Sequence, residues 1–173
     1  MNFLFKKNLI KMNYLMPILL TFLLIYFIIL VSIYLLQRNL LYHPGENNYI
    51  GDQLLIPIKK IKIKTQDNIK LISWYHNKNS NKYKTILFLH GNAGSLQNRI
   101  HKINHIKNID VNLLIFAWRG FSGNDGIPTE KGLYKDAKGA VAWLKSEGIN
   151  EKNIILYGES LGTGVAVEIA QNK

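Results

Sequence analysis

The chain has 173 residues, the length of one domain with short appendages. Its 22 Lys and Arg residues outnumber 11 Asp and Glu residues, which gives a formal charge of +11 at pH 7. The absence of cysteine excludes disulfides, cysteine nucleophiles and thiolate metal sites. The charge is compatible with a nucleic acid or an anionic membrane as partner. However, the basic residues are mostly Lys, and they are spread through sequence that is rich in Ile and Asn. An AT-rich genome produces this composition without any selection for binding. We therefore expect no nucleic-acid partner.

Residues 1–13 form a basic N-terminal tail, and residues 14–36 carry no charge and are almost wholly apolar. At ~1.5 Å per residue, a helix of this length reaches the ~30 Å of a hydrocarbon core, which predicts a transmembrane anchor at 14–36. A secretory signal peptide is the alternative. Its apolar region would be shorter, ~7–15 residues, and a small-residue cleavage site would follow. The segment that leaves the apolar run, SIYLLQRNLLYHP, contains no such site.

The charges that flank the apolar segment predict its orientation. Lys6, Lys7 and Lys11 precede it, whereas Arg38 is the only close charge that follows it. The positive-inside bias therefore predicts a cytosolic N-terminus, with the remaining chain on the other side of the membrane. The basic cluster at 59–64 reduces this contrast.

Residues 37–53 are predicted to be a juxtamembrane linker with a turn at His43-Pro44-Gly45. The alternating segments LLIPIKKIKIKT and NIKLISWYH predict an antiparallel hairpin. Three continuous apolar runs, TILFLHG, VNLLIFAW and NIILYG, predict strands that are buried in a parallel sheet, and a helical pattern follows each run. We therefore predict an α/β domain over residues 54–173, with a mostly parallel sheet and helices on both faces.

The stretch GESLG, from Gly158 to Gly162, has the form G-x-S-x-G with Ser160 at its centre. A buried strand precedes it and a helix follows, which is the context in which this pattern forms a nucleophile elbow. Glycine at both ends leaves room where a Cβ would clash with the neighbouring strand and helix. The helix start directs N–H groups towards developing negative charge. We therefore predict that Ser160 is a nucleophile; a chance occurrence of the pattern is the alternative.

Four blocks of the sequence resemble the α/β-hydrolases, and more narrowly the bud-emergence-type, membrane-anchored group related to the abhydrolase-domain proteins. The blocks are QRNLLYHP, TILFLHGNAGS, WRGFSGNDGIPTEKGLYKDAKGAVAWL and IILYGESLGTGVA. The third block is the most specific. It departs from the family pattern at Ser122, where the family usually has Gly, and at Asn124, where it usually has Ser. Thr129 is predicted to cap the helix that follows. The resemblance covers the N-terminal part of the hydrolase domain and implies an α/β-hydrolase fold.

The resemblance also implies an oxyanion hole with two backbone donors, one after the TILFL strand and one directly after the nucleophile. Those donors are Asn92 and Leu161. His90 and Gly91 are expected to shape the loop, and a role for His90 as catalytic base is the alternative. No metal and no organic cofactor is implied. His101 and His105 are spaced as a metal-binding pair would be on one helix face, but we expect a solvated stripe.

The catalytic triad of these hydrolases follows the chain order Ser, then Asp or Glu, then His. After Ser160 the sequence has Glu168 as its only carboxylate and no histidine. We therefore expect the N-terminal part of a membrane-anchored hydrolase of ester, thioester or amide bonds, which is inactive alone. The strand Ile154 to Tyr157 is expected to be an apolar, unpaired edge. A second chain that completes the sheet and the triad is one expectation. A non-catalytic membrane-anchored binding protein or pseudoenzyme is the alternative.

Overall fold

The computed structural model describes residues 2–171. The chain divides between Leu40 and Leu41 into two compact units. Helix α1 (Asn2–Leu41) forms the described part of the first unit, except for its last residue, which belongs to the second. Its segment Leu15–Leu41 has a mean hydropathy of 2.8, and it is long and apolar enough to cross a membrane by length and composition. The helix extends past residue 36, where the sequence pattern places the end of the anchor.

The described part of the second unit contains seven strands: β1 (His43–Pro44), β2 (Lys59–Lys64), β3 (Lys70–His76), β4 (Thr85–Leu89), β5 (Ala93–Gly94), β6 (Asn112–Phe116) and β7 (Ile154–Gly158). Its α-helices are α2 (Ile100–Asn104), α3 (Glu130–Ser146) and α4 (Leu161–Gln171). Short 3-10 helices lie at Leu96–Arg99, His105–Asn108 and Glu151–Asn153.

Five of the strands form one sheet in the order β2-β3-β6-β4-β7. β2 and β3 form the predicted antiparallel hairpin, and β3 pairs antiparallel with β6. β4 lies between β6 and β7 and is parallel to both. The predicted hairpin and the three strands are therefore confirmed, and β6 and most of β4 are buried as predicted. The prediction of burial is wrong for β7, where only Ile154 is buried, because no strand pairs with the outer edge of β7 among the described residues. Within residues 2–171, no strand pairs with the outer edge of β7.

Helices cover both faces of this sheet, as the alternation of strands and helices predicts. Tyr75 and Leu87 both pair in register with Leu114, so the three side chains project from one face. Trp143 of α3 packs edge-on against Tyr75 on that face, with ring centroids 5.0 Å apart. Phe88 projects from the opposite face and borders a small cavity beneath α2. The α/β prediction is thus confirmed.

Two segments differ from their predicted local structure. His43-Pro44, predicted to be part of a turn, forms a two-residue parallel ladder with Ala93-Gly94. His43 N–H also donates to the carbonyl of Asn92 at 2.8 Å. The helix predicted after HGNAG is divided, because α2 has only five residues between two 3-10 helices. Both differences arise from contacts between distant segments, which local periodicity does not encode.

The two departures from the family pattern form buried hydrogen bonds. Ser122 has a φ of +52°, and its hydroxyl accepts from Leu96 N–H at 3.0 Å. The side-chain oxygen of Asn124 accepts from Ile72 N–H at 2.9 Å, and its amide donates to the Ala117 carbonyl at 2.7 Å. These bonds join the loop after β6 to β3 and to the segment after β5, so the substituted loop remains anchored.

Candidate active site

Ser160 lies in the short turn between the end of β7 and the start of α4. Its φ is +50°, in the left-handed region that non-glycine residues rarely adopt. Gly162 N–H donates to the Glu159 carbonyl at 2.8 Å and Thr163 N–H to the Ser160 carbonyl at 2.9 Å, which closes the turn. Ser160 is exposed. A strained, exposed serine at a strand-to-helix turn has the geometry of a nucleophile elbow.

The two glycines of the GESLG turn lie where a side chain does not fit. A Cβ at Gly162 would collide with the carbonyl oxygen of Leu89 in β4. A Cβ at Gly158 would lie 2.5 Å from the Cα of Thr163. Both obstacles are backbone atoms, which cannot move aside without disturbing the sheet or α4. The close approach of α4 to β4 therefore depends on glycine at position 162.

The loop that follows β4 passes beside the serine. A Cβ built on Gly91 would lie 3.5 Å from the Cβ of the serine. The carbonyl of Asn92 accepts from His43 N–H at 2.8 Å, and its side-chain amide donates to the Leu41 carbonyl at 2.7 Å. In the part of the chain that the structure describes, no hydrogen bond engages the N–H of Asn92 or of Leu161. Both N–H groups are therefore free of protein partners, as the donors of an oxyanion hole must be.

His90 is buried at the end of β4, and both of its ring nitrogens have partners. Nδ1 lies 2.8 Å from the Gly91 carbonyl, and Nε2 lies 3.3 Å from the Trp118 backbone N–H, which donates to it. Burial, together with the nearby charge of Arg99, lowers the pKa of His90 to about 3. A general base needs a free nitrogen within reach of the proton that it removes. The position of His90 therefore suits a structural role in the loop.

A charge cluster, which sequence reasoning missed, joins this loop to the elbow. Glu159 Oε1 lies 2.6 Å from Lys102 Nζ and 3.8 Å from Arg99 Nη1. Arg99 also donates to the carbonyl of Ala93. Arg99 Nε and Glu159 Oε2 are buried without a hydrogen-bond partner. In the sequence, Glu159 lies within GESLG, and Arg99 and Lys102 follow HGNAG. This pattern is too weak to predict the cluster without the fold.

His101 and His105 lie together at the surface. The Nδ1 of His105 is 2.7 Å from the His101 carbonyl, and the two ring centroids are 4.7 Å apart. Among the described residues there is no group of three or more side chains that could hold a metal ion. The pair therefore lacks the third ligand that a metal site would need.

Comparisons with known proteins place this geometry in a wider group. No protein-family model matches the chain. An uncharacterized protein of Mycobacterium tuberculosis is 32% identical over 145 residues, which cover 82% of this chain and 52% of that protein. An uncharacterized membrane protein of Saccharomyces cerevisiae is 34% identical over 146 residues, covering 80% of this chain and 51% of that protein. The chain thus spans about half the length of these curated relatives.

A solved esterase of Pyrococcus furiosus superposes with a TM-score of 0.60 at 26% identity, covering 74% of this chain and 50% of the esterase. The lysophosphatidylserine lipase ABHD12 of Danio rerio is 32% identical over 136 residues, which cover 78% of this chain and 35% of the lipase. The sheet order, the helices on both faces and these similarities define an α/β-hydrolase fold. The chain belongs to the α/β-hydrolase superfamily and is a relative of the abhydrolase-domain proteins.

Proposed function

We propose that this chain is the nucleophile-bearing part of a membrane-anchored serine hydrolase that cleaves ester, thioester or amide bonds through Ser160. The observation that carries the proposal is the elbow, where a serine with a φ of +50° lies between β7 and α4 beside two unused backbone N–H groups. The esterase and the lipase among the similar proteins support the hydrolase class.

In the proposed mechanism, Ser160 Oγ forms a bond to the substrate carbonyl carbon while its proton passes to a base. The carbonyl oxygen becomes an oxyanion and accepts hydrogen bonds from the N–H groups of Leu161 and Asn92. The base then gives the proton to the leaving group, and water releases the acyl group by the same route. The start of α4 adds positive potential at the oxyanion. Loss of one such donor typically lowers kcat by ~10²–10³.

The base and its acidic partner are proposed to come from polypeptide other than these 173 residues. No histidine follows Ser160, and His90 uses both ring nitrogens within the fold. A serine without a base is a weak nucleophile, so the 173 residues alone are proposed to be inactive or nearly so. A polypeptide that carries the Asp and the His can join the sheet at the outer edge of β7 and complete the triad.

A non-catalytic, membrane-anchored binding protein is the second candidate function. It is favoured by the outer edge of β7, where Ile155 is 43% exposed and Tyr157 is 49% exposed. Within the described residues no strand pairs with this edge, and an open edge accepts an added strand from a partner. In such a protein the turn at Ser160 would keep its conformation, but no base would activate the serine. Neither candidate function involves a nucleic acid, a metal or an organic cofactor.

The apolar helix and the yeast membrane-protein relative indicate that the chain associates with a membrane. The proposed orientation has the N-terminus in the cytosol. Because the chain contains no cysteine, single introduced cysteines can test it. We expect Ser146→Cys to react with a membrane-impermeant maleimide applied to intact cells, and Asn8→Cys to remain unlabelled. The reverse pattern would contradict the orientation.

The hydrolase proposal is tested by fluorophosphonate labelling of native membranes that contain the full chain, followed by identification of the labelled peptide. We expect the label on Ser160, and no label on a Ser160→Ala variant. Ser146→Ala is the matched control, because it removes an exposed serine of α3 remote in sequence from the elbow and should leave labelling unchanged. No labelling of well-expressed wild-type protein would exclude an activated serine and favour the binding protein.

A further inference from the structure

A cavity of about 230 Å³ lies in the second unit, between the first turns of α3 and α4. Its floor consists of side chains that are almost fully buried: Tyr42 at 9% exposure, Leu133 at 1% and Val165 at 3%. Its mouth is open to solvent at Leu41 and Gly164. The cavity is therefore a pocket with an apolar floor, and Leu161 is the one residue that it shares with the GESLG turn.

The pocket adjoins both proposed oxyanion donors. Leu161, which follows Ser160 and offers one N–H, lies in the pocket wall. Asn92, which offers the other N–H, donates its side-chain amide to the carbonyl of Leu41 at the mouth. A substrate carbonyl held by these two donors would therefore have the pocket within reach of its acyl substituent.

Two features of the mouth restrict what can enter. Gly164 leaves space, because a Cβ added there meets no atom within 4 Å. Glu130 places a carboxylate at the mouth, and it accepts a hydrogen bond from the Tyr134 hydroxyl at 2.7 Å. This bond raises the pKa of Tyr134 to about 12. A negative charge at the entrance disfavours an anionic ligand, while the floor favours an alkyl group.

We propose that this pocket binds the acyl chain of a neutral carboxylic ester, which is the substrate class of the hydrolase proposed above and rests on that proposal. The volume is below the ~300–1,000 Å³ of pockets that enclose drug-sized ligands, so the pocket suits one medium-length chain. Leu41 at the mouth is also the last residue of an apolar segment long enough to cross a membrane. Acyl esters partition into a bilayer, so a protein anchored by this segment would meet them there.

The test is photolabelling of the full chain in nanodiscs with a diazirine analogue of methyl decanoate, in a Ser160→Ala background. We expect crosslinks in the first turns of α3 and α4, at Leu133, Tyr134 or Val165. Gly164→Leu adds a bulky side chain at the pocket wall, where a Cβ meets no atom within 4 Å. If it displaces about two methylenes of the bound chain, the lost burial predicts a roughly ten-fold drop in labelling. Ala170→Leu adds the same side chain at an exposed position of α4 outside the pocket and should leave labelling unchanged.

Competition separates the neutral ester from the free acid. We expect unlabelled methyl decanoate to compete with the probe. The decanoate anion should compete only weakly when Glu130 is present, and it should compete well in a Glu130→Gln variant. Crosslinks confined to residues 15–40, or labelling that Gly164→Leu does not reduce, would overturn the proposal. Because the background lacks Ser160, pocket labelling without fluorophosphonate reactivity of the wild type in native membranes would refute the hydrolase and retain the binding site. Fluorophosphonate reactivity of the wild type in native membranes, without photolabelling of the pocket, would retain the hydrolase and refute the pocket.

Discussion

The left-handed conformation of Ser160 is held by its neighbours. A serine at a φ of +50° is strained by itself, and such strain persists only where the surrounding structure over-determines it. Here the turn is fixed by hydrogen bonds at its two ends, from Glu159 N–H to the Leu89 carbonyl and from Gly162 N–H to the Glu159 carbonyl. Glycine at 162 then allows α4 to start against β4.

Two glycines on the same helix provide a matched pair for testing this dependence. Gly162→Ala should destabilise the second unit by about 3 kcal/mol, because its Cβ meets the backbone of β4. Gly164→Ala should stabilise it by roughly 0.5–1 kcal/mol, because its Cβ meets no atom within 4 Å and alanine favours the helix. Urea unfolding of the full chain in micelles, followed by tryptophan fluorescence, measures both. Equal effects of the two changes would contradict the close packing at Gly162.

Arg119 forms the main buried ion pair of the domain. It is 6% exposed, and its Nε and Nη2 donate to Asp136 Oδ1 at 2.9 and 2.7 Å. Its Nη1 donates to Asp67 Oδ2, in the turn between β2 and β3, at 2.9 Å. Arg119 thus ties the hairpin and α3 to the loop after β6. Removing one partner of such a pair typically costs ~3–5 kcal/mol, because the other charge stays buried and unpaired.

Asp67 makes the stability of this network depend on pH. The hydrogen bond from Arg119 holds the pKa of Asp67 well below its ordinary value of 3.8. Because the folded-state pKa is the lower one, the stabilisation is complete above pH 3.8 and is lost as the pH falls towards the folded-state pKa. Wild type should therefore be more stable than Asp67→Asn at pH 6, and their free energies of unfolding should converge below pH 3.8. A difference in unfolding free energy that stays constant across this pH range would argue against the pairing of Asp67 with Arg119. Asp125→Asn changes an exposed loop residue and serves as the control.

At the scale of elements, helix and strand ends carry the strongest sequence signals. Thr129 accepts from Gly132 N–H at 3.1 Å and caps α3 as predicted. Continuous apolar runs locate β4, β6 and β7 well, although the run that predicts β6 continues two residues past its end, through Ala117 and Trp118. The β1–β5 ladder could not be predicted, because two residues carry no periodicity. The Arg99–Glu159 contact could not be predicted either, because it joins segments that meet only through the fold.

β7 is an edge strand, and its outer edge can pair with a strand of another molecule. Ile155 projects from it at 43% exposure, whereas Ile154 is buried at 7%. Ile155→Lys should reduce self-association of the purified full chain, because a charged edge side chain disfavours edge-to-edge pairing, and it should leave the unfolding free energy nearly unchanged. Ile154→Lys should instead destabilise the domain by at least about 3 kcal/mol. Analytical ultracentrifugation and urea unfolding measure the two effects. Unchanged self-association of Ile155→Lys would show that this edge is not the contact.

For the whole molecule, the sequence predicts the apolar helix, the α/β class and the position of the elbow, because each depends on local pattern. The roles of Asn92 and Leu161 as oxyanion donors are predicted from the resemblance to a family, and no local pattern indicates them. The pocket beside Leu161 is invisible in the sequence, because its walls come from segments around residues 41, 130 and 164 that only the tertiary fold brings together. The proposed function therefore depends most on contacts that only the fold creates and, in our proposal, on a further polypeptide that supplies the base.

The central claim is that the elbow is assembled within these residues while the base is not. Intact-mass spectrometry of the purified, folded full chain after fluorophosphonate treatment tests this most directly, with Ser160→Ala as the reference. The account predicts that wild type and Ser160→Ala both keep their unmodified mass, although Ser160 is labelled in native membranes. Stoichiometric modification of Ser160 in the purified chain would contradict the account, because it would mean that the chain holds its own base.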